Sequence, residues 1–576
     1  MWRTLLTRHA GRGSASPAMT CRRYFNKNQA VLQEHNHIQE KDRDLILKVM
    51  GTLPSPREAR QFLSKFSLPA TASALATPAK GKTSDPDFLD TLLWPNDHLA
   101  LIKLEGPFKK DDLAAVASTL VQLQRIGLLS VVMLDNQTWW QKQSSFDSGA
   151  ENQSAATRQR MLKDMTEFVE EIEKFGGRAR PVYEGVFDAV KQENDDQHSH
   201  GPKDHREHTQ EPEATQEISV RPGLQPIRSC LKLQQIPVMI PMATTTTFHR
   251  TPVQSNKAMV ALAKYMGSTV NDDDIAPGST HGPLVPMRLI VVNTTGGIPL
   301  TRASGIQGPT HCFVNLKDEY RTILEDLDNM NHIPKPLAKS YRSDLDMIRE
   351  SLDYLPRTCS ALITSSPSLT LIANLITDKP LFSSTMRGED PKGMLATTVL
   401  RSGLDIYTCR GSLQGLDLKQ LQGLLESSFG RPLDSEGFYS RIQDRTKSVI
   451  LAGQEYMGAA IVTREGGGEF ERDQGEGRQP LASVAYLDKF SVAPKSQGIG
   501  VADILWKKLT DEFPDLVWRS RSDNPVNKWY FDRADGNIRI PRTNWTVFWY
   551  GPKGLGLIRD YIKICRDIPA SFQPKS

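Results

Sequence analysis

Residues 486–502 read Tyr-Leu-Asp-Lys-Phe-Ser-Val-Ala-Pro-Lys-Ser-Gln-Gly-Ile-Gly-Val-Ala, a strand, then a turn, then the start of a helix. Such a turn presents backbone N–H groups at the positive end of the helix dipole, a combination that suits a pyrophosphate. Gly498 and Gly500 allow a ligand to approach closely and allow a positive φ. The glycines alone describe equally well a tight turn that merely starts a helix. Further on, the strand Leu516 to Ser522 has period two, so Arg519 and Arg521 share a face. With Lys489 on a nearby strand, two guanidiniums could grip a small dianion such as a dicarboxylic amino acid. The plain alternative is an exposed strand with solvated arginines. Asn524 precedes Pro525, which biases it to an extended conformation and fixes its amide. Tyr530 lies in the aromatic run Trp529-Tyr530-Phe531. It is a phenol able to serve a departing group, or a core tyrosine with its hydroxyl satisfied.

The order Gln497-x-x-Gly500-x-Ala502 resembles the Q/R-x-x-G-x-G/A signature with which the GNAT superfamily of N-acetyltransferases cradles the CoA pyrophosphate. The blocks Tyr486 to Phe490, Trp518 to Phe531 and Trp545 to Gly551 resemble the N-acetylglutamate synthases. So do Asn293 to Gly297 and Asn374 to Leu381. The resemblance spans most of 90–570 and, with the leader and polar insertion described below, is to the fungal mitochondrial form. It implies transfer of acetyl from acetyl-CoA to the α-amine of L-glutamate, giving N-acetyl-L-glutamate and CoA, the first step of arginine biosynthesis, without a metal. It implies that Lys489, Arg519, Ser520, Arg521 and Asn524 hold glutamate or its product. Arg431 falls where animal relatives carry a substrate-binding lysine. Phe490, Ser491, Val492, Gln497, Gly498, Ile499, Gly500 and Val501 match the CoA-contacting segment. Tyr530 matches the general acid, and Asn524 aligns amine or carbonyl. L-arginine as inhibitor, acetylglutamate kinase as partner and a homo-oligomer are further implications. Two rival classes are an acetyltransferase of the same fold acting on another amine, and a non-catalytic regulatory subunit of the kinase complex.

The elements that position these residues form the last third of the chain. Helix Leu416 to Ser427, paired strands Ser448 to Ala452 and Ala459 to Val462, strand Val484 to Val492, helix Val501 to Leu509, and strands Leu516 to Ser522 and Trp545 to Tyr550 predict a mixed-sheet α+β domain over 391–576. A polar loop spans Arg464 to Pro480. Residues 86–390 alternate strand and helix: Leu99 to Ile102, Asp111 to Ile126, Leu128 to Leu134, Met287 to Val292, Ser360 to Thr364, then a helix ending near Thr377. That is a βαβ pattern with a parallel sheet, resembling the amino-acid-kinase fold, so the fold class is α/β followed by α+β. Kinases of that fold place a Lys before a Gly-Gly phosphate turn. Here Lys103 is followed by Leu104-Glu105-Gly106-Pro107, which argues against kinase activity, since Pro107 has no N–H and Glu105 repels phosphate. Asn293 to Gly297 is expected to be an ordinary turn. A charged, His-containing insertion over 191–218 has too few apolar residues to fold.

The chain has 576 residues, 71 basic and 67 acidic, for a net +4. So balanced a charge argues against a nucleic-acid coat, and no apolar run is long enough to span a membrane. Residues 1–33 lack Asp and Glu but carry Arg3, Arg8, Arg12, Arg22, Arg23 and Lys27. This predicts a mitochondrial transit peptide over 1–35 and a matrix location, followed by a helical segment and linker over 36–85. The 6 cysteines are scattered, with no pair at metal-ligand spacing.

Overall fold

The computed structural model describes residues 99–125, 128–140, 150–191, 216–221, 224–268, 284–300, 310–331, 333–365, 397–467, 482–497 and 499–573. The leader, the 36–85 segment, most of the 191–218 insertion, the 374–381 block and its helix, and Gly498 lie outside these residues.

The first part runs β1 (Leu99–Gly106), α1 (Lys110–Arg125), β2 (Leu129–Asn136), α2 (Ala150–Lys174), β3 (Ala179–Val182), β4 (Phe187–Lys191), β5 (Gln216–Val220), α3 (Gln225–Lys232), β6 (Ile236–Met239), β7 (Met242–Thr245), β8 (Arg250–Pro252), α4 (Ser255–Ser268), β9 (Arg288–Asn293), β10 (Phe313–Asn315), α5 (Leu316–Asn329), α6 (Lys335–Tyr354), β11 (Ser360–Ser365) and β12 (Thr398–Arg401). Eight strands form one sheet, ordered β10-β12-β11-β9-β1-β2-β6-β3. Its pairs are parallel except β11 with β12. Every residue of β1 is buried, because both faces are covered. Leu99, Leu101, Val131 and Met133 enter one core, while Ala100, Ile102, Val132 and Leu134 enter the other. A four-stranded sheet, β5-β4-β7-β8, flanks it.

Two expectations are corrected here. The insertion is narrower than 191–218: Lys191 and Gln216 are antiparallel partners at the ends of β4 and β5. Ile218 and Val220 pack on the first core, which gives the returning strand its apolar face. The boundary at 390/391 also moves, because β12 belongs to the first sheet, between β10 and β11. The two large sheets therefore separate between Arg401 and Ile406.

The second part comprises β13 (Ile406–Arg410), α7 (Leu418–Phe429), α8 (Ser435–Ile442), β14 (Thr446–Ala452), β15 (Gly458–Glu465), β16 (Val484–Val492), α9 (Val501–Glu512), β17 (Leu516–Arg521), α10 (Asn527–Phe531), β18 (Gly536–Arg539), β19 (Trp545–Tyr550) and α11 (Ile558–Asp567). Seven strands form one sheet, β13-β14-β15-β16-β17-β19-β18, antiparallel except β16 with β17. Helix α9 packs Val501, Ile504, Leu505 and Leu509 on one face with Ile450, Leu487 and Trp518. Two further cores form around α7 with α8, and around α11. Gly458 permits the close approach of α9, since a Cβ there would lie 2.8 Å from both Val501 and Leu505. The expected polar loop begins later than Arg464, because Arg464 and Glu465 finish β15 and pair with Ala485 and Val484. No helix of the described residues is long and apolar enough to cross a membrane.

At the C-terminal ends of β1 and β2, Lys103 Nζ lies 2.6 Å from Asp344 Oδ1, 3.1 Å from Asp135 Oδ2 and 3.7 Å from Glu105 Oε2. Three carboxyls around one buried ammonium leave a net negative site, which disfavours a phosphate. Burial raises the Asp344 carboxyl to about 8 against the pull of Lys103, so it keeps its proton and bonds Glu105. Nearby, Asn293 Oδ1 accepts from Thr295 N at 3.1 Å and Gly296 N at 2.6 Å. The turn's N–H groups thus serve its own side chain, as in an ordinary Asx turn. Asp344 sets a pH dependence. A carboxyl protonated in the fold but ionised in the unfolded chain stabilises most below pH 4, and that contribution is lost as pH rises through 8, by at most about 1.4 kcal/mol per unit. Asp344→Asn should therefore gain stability relative to wild type as pH rises from 5 to 9 in thermal melts. A pH-independent difference would refute the shared proton.

Candidate active site

The parallel neighbours β16 and β17 share one register pair, Tyr486 with Val517. Beyond it the strands part, and residues 487–492 keep a ladder only with β15. A β-bulge accompanies the parting: Ile461 faces Lys489 and Val462 faces Leu487, so Asp488 is the extra residue. Bulges bend and twist a strand, which turns the end of β16 away from β17.

On one face stands the helix start. Gly500 is the N-cap of α9 at φ 85°, ψ 7°, with no side-chain cap. Two other helices of this domain, α7 and α8, are capped by carboxylates: Asp417 accepts from Lys419 N and Gln420 N, and Asp434 from Gly437 N. The first N–H groups of α9 are thus left for an external anion. The opening's wall here is aromatic. Phe490 stacks on Trp529 at 5.1 Å, and Trp506 and Trp518 meet edge-on at 5.5 Å. The buried indole N–H groups of Trp506 and Trp518 have no acceptor. Both the orphaned donors and the uncapped helix fit a thioester arm with a diphosphate head. Ser491 is buried with Oγ on Ala459 O at 3.4 Å, Val492 pairs with Gly458, Gln497 is exposed, and Ile499 packs at the margin of this core. Tyr530 is buried between Trp518 and Phe548, each ring 5.6 Å away or less. Burial raises its phenol well above the usual range, so it stays protonated.

On the other face are the cations. Arg519 and Arg521 both lie over Trp545, at 4.2 Å and 5.5 Å. Arg519 donates to Cys565 O in the last turn of α11 and, at 2.9 Å, to Pro569 O just beyond that helix. Lys489 is buried over the Phe438 ring at 4.4 Å, paired with Asp488 and donating to Ser571 Oγ at 3.1 Å. Burial lowers its pKa, although Asp488 opposes the shift. Asn524 donates to Ser520 Oγ at 2.9 Å and accepts from Val526 N at 3.1 Å, which locks its amide. Arg431 follows the left-handed Gly430 that ends α7, beside Leu433 and its bridge to Phe572.

The sequence reading did not name Asp488, Arg441, Glu465 or the chain end at 569–573. Asp488 is fully buried. Burial alone would raise its carboxyl, but Lys489 and Arg441 hold it below the usual range. Arg441 also bonds Glu465 at 3.0 Å, and Arg445 does so at 2.8 Å. A charge between Leu487 and Phe490, inside an apolar strand, was the available signal. The chain end carries no such signal, yet Pro569 and Ser571 meet Arg519 and Lys489. Among the described residues no cluster of three His, Cys, Asp or Glu is placed to hold a metal.

Gly500 gives a prediction here. A side chain at φ 85° is strained, and a Cβ would lie 3.3 Å from Arg401 Nε. Gly500→Ala should cost about 1–2 kcal/mol of stability and weaken CoA binding in calorimetry. Unchanged CoA affinity would refute the turn's role.

A mixed sheet opened at one parallel pair, with an uncapped helix start at the opening, is the arrangement of an acyl-CoA-dependent N-acetyltransferase. A family profile described as "NAT, N-acetyltransferase, of N-acetylglutamate synthase" matches residues 408–568. The chain is 33% identical to the mitochondrial amino-acid acetyltransferase of Coprinopsis cinerea, covering 89% of this chain and 85% of that one. It is 33% identical to that of Laccaria bicolor, covering 88% and 92%. A solved N-acetylglutamate synthase from Neisseria gonorrhoeae, complexed with coenzyme A and N-acetyl-glutamate, is similar at 12% identity and TM-score 0.46, over 81% of this chain and 97% of that one. The chain belongs to the family of mitochondrial amino-acid acetyltransferases.

Proposed function

We propose that the chain transfers the acetyl group of acetyl-CoA to the α-amine of L-glutamate in the mitochondrial matrix, releasing N-acetyl-L-glutamate and CoA. The observation that carries this reading is the opening between β16 and β17, with a diphosphate-ready helix start on one face and Lys489, Arg519 and Arg521 on the other. Acetyl-CoA lies with its phosphates at 497–501 and its thioester in the opening. The glutamate carboxylates meet Lys489 and Arg519, displacing the neutral acceptors Ser571 Oγ and Pro569 O, since charged acceptors bind guanidinium and ammonium more strongly. Arg521 and the locked Asn524 border the same space. Backbone groups of β16 near Phe490, paired with β15 but without a partner on the β17 side, polarise the thioester carbonyl. The neutral amine attacks, the C–N bond forms, and the tetrahedral oxyanion collapses with cleavage of the C–S bond. The amine's proton leaves to water. Tyr530 donates a hydrogen bond to the departing thiolate. Full proton transfer from a phenol raised by burial to a thiol near 8.5 would run uphill. Holding both substrates in one opening supplies much of the rate, without a covalent intermediate.

L-arginine inhibits this reaction, and the first part of the chain serves assembly, with acetylglutamate kinase and further copies of the chain as partners. Its net-negative Lys103 site supports a regulatory rather than phosphoryl-transferring role. The test is free-thiol release by the purified chain from acetyl-CoA with a panel of amino acids, with and without arginine. Glutamate alone should support turnover, and arginine should reduce it. Equal rates with monocarboxylic amino acids would overturn the substrate assignment.

A further inference from the structure

Two buried donors beside the opening have no acceptor among the described residues. Trp506 is 3% exposed and Trp518 is 1% exposed, and the indole N–H of each is unpaired. An indole N–H donates and cannot accept, so only a group bringing a lone pair completes either one. The fold completes an equally buried indole elsewhere: Trp139, 1% exposed, donates to Asp164 Oδ2 at 2.7 Å. The edge-on ring contacts around Trp506 are a poor substitute, because an N–H directed at a ring gains less than one directed at a carbonyl. Leaving such donors unpaired destabilises the free chain.

The two indoles lie along one path. Helix α9 starts after Gly500, and Trp506 stands on the face it packs against the sheet, 6.2 Å from Phe490 and 5.3 Å from Trp529. Trp518 of β17 follows at 5.5 Å from Trp506, and Tyr530 at 5.5 Å from Trp518. Phe490 belongs to the stretch of β16 that has no β17 partner. The path thus runs from the helix that begins at the phosphate turn to the phenol that meets the thiolate.

We propose that Trp506 and Trp518 are binding residues for the pantetheine arm of acetyl-CoA, their indole N–H groups donating to its amide carbonyls. This rests on the acyl-CoA reading of the opening and adds the group recognised, which is the amide-bearing arm rather than the phosphates or the acetyl group. The arm is the part of CoA that lies between head and thiol. It is slender enough for an aromatic-walled slot, and its amides bring the carbonyl acceptors that the indoles lack. Away from water such bonds are stronger than at a surface.

The experiment uses the full chain with Trp506→benzothienylalanine or Trp518→benzothienylalanine, an isostere that keeps the fused ring and replaces N–H by sulfur. Each variant should raise the Kd for CoA in calorimetry and the KM for acetyl-CoA about tenfold, as expected for one lost hydrogen bond. The Kd for adenosine bisphosphate, the head of CoA without its arm, and the KM for glutamate should stay within about twofold of wild type, since neither meets the indoles. The Tm of the free chain should hold or rise, because an unpaired buried donor has been removed. A lower Tm with unchanged CoA affinity means that the N–H is bonded within the protein, and overturns the proposal. Equal weakening of CoA and adenosine bisphosphate overturns it as well. A second measurement keeps the tryptophans: in wild type with isotope-labelled indole nitrogens, CoA but not adenosine bisphosphate should move the Trp506 and Trp518 N–H resonances to lower field. Resonances that stay in place overturn it. If wild type does not bind CoA at all, the acyl-CoA reading fails. CoA binding by wild type that neither variant weakens defeats this inference alone.

Discussion

Tyr530→Phe is expected to lower kcat for acetyl transfer about a hundredfold, at the lower end of what a positioned proton-handling group contributes, while both KM values stay within about twofold. The ring is packed by Trp518, Trp529 and Phe548, and none of these contacts needs the hydroxyl, so the variant keeps the fold and isolates the O–H. Burial keeps that hydroxyl protonated at every pH an enzyme experiences. The wild-type pH profile should accordingly show no loss of kcat from Tyr530 ionising below pH 10. Steady-state kinetics of wild type and variant across pH decide the matter. Wild-type turnover by Tyr530→Phe would remove the residue from the reaction.

Asp488→Ala is expected to be the most destabilising single change at the site. It leaves Lys489 buried without its carboxylate and deprives Arg441 of one of its two acidic partners. Breaking a buried pair by removing one member costs about 3–5 kcal/mol. For a domain of this size that corresponds to a Tm lower by roughly 10 °C. The sign with pH follows from the same pairing. Asp488 is held below its unfolded value, so its contribution is present above pH 4 and is lost as pH falls through the folded pKa. Wild type should therefore lose stability in acid more steeply than Asp488→Ala. Thermal melts of both proteins between pH 3 and 7 test this, and a Tm drop under 2 °C at neutral pH would refute it.

How much of this was legible in the sequence depends on whether the cause is local. Strands 484–492 and 545–550 are rich in aromatic and β-branched residues and appear where that composition places them. Gly500 allows a positive φ by its residue type, and φ is 85°. Arg519 and Arg521 share a face because a strand's period is two. Asn524 was expected to be fixed by Pro525 alone, but its amide is in fact locked by Ser520 and Val526. The bulge at Asp488 and the parting of β16 from β17 are properties of three strands together, and no single segment encodes them. The partners of Lys489 and Arg519 come from the chain end, far away in sequence. Strand β12 has four residues, too few for a periodic signal, and its place in the first sheet is what brings Arg401 to Gly500.

The central claim is that a CoA thioester threads between β16 and β17 to reach a dicarboxylic amino acid on the far face. A crystal structure of the chain with CoA and N-acetylglutamate tests it most directly. The account predicts phosphates at 499–501, the thiol between Phe490 and Tyr530, and the two product carboxylates at Lys489 and Arg519. Density for either ligand elsewhere, with the strands closed by Phe490 on Trp529 and Ser571 still on Lys489, would contradict it.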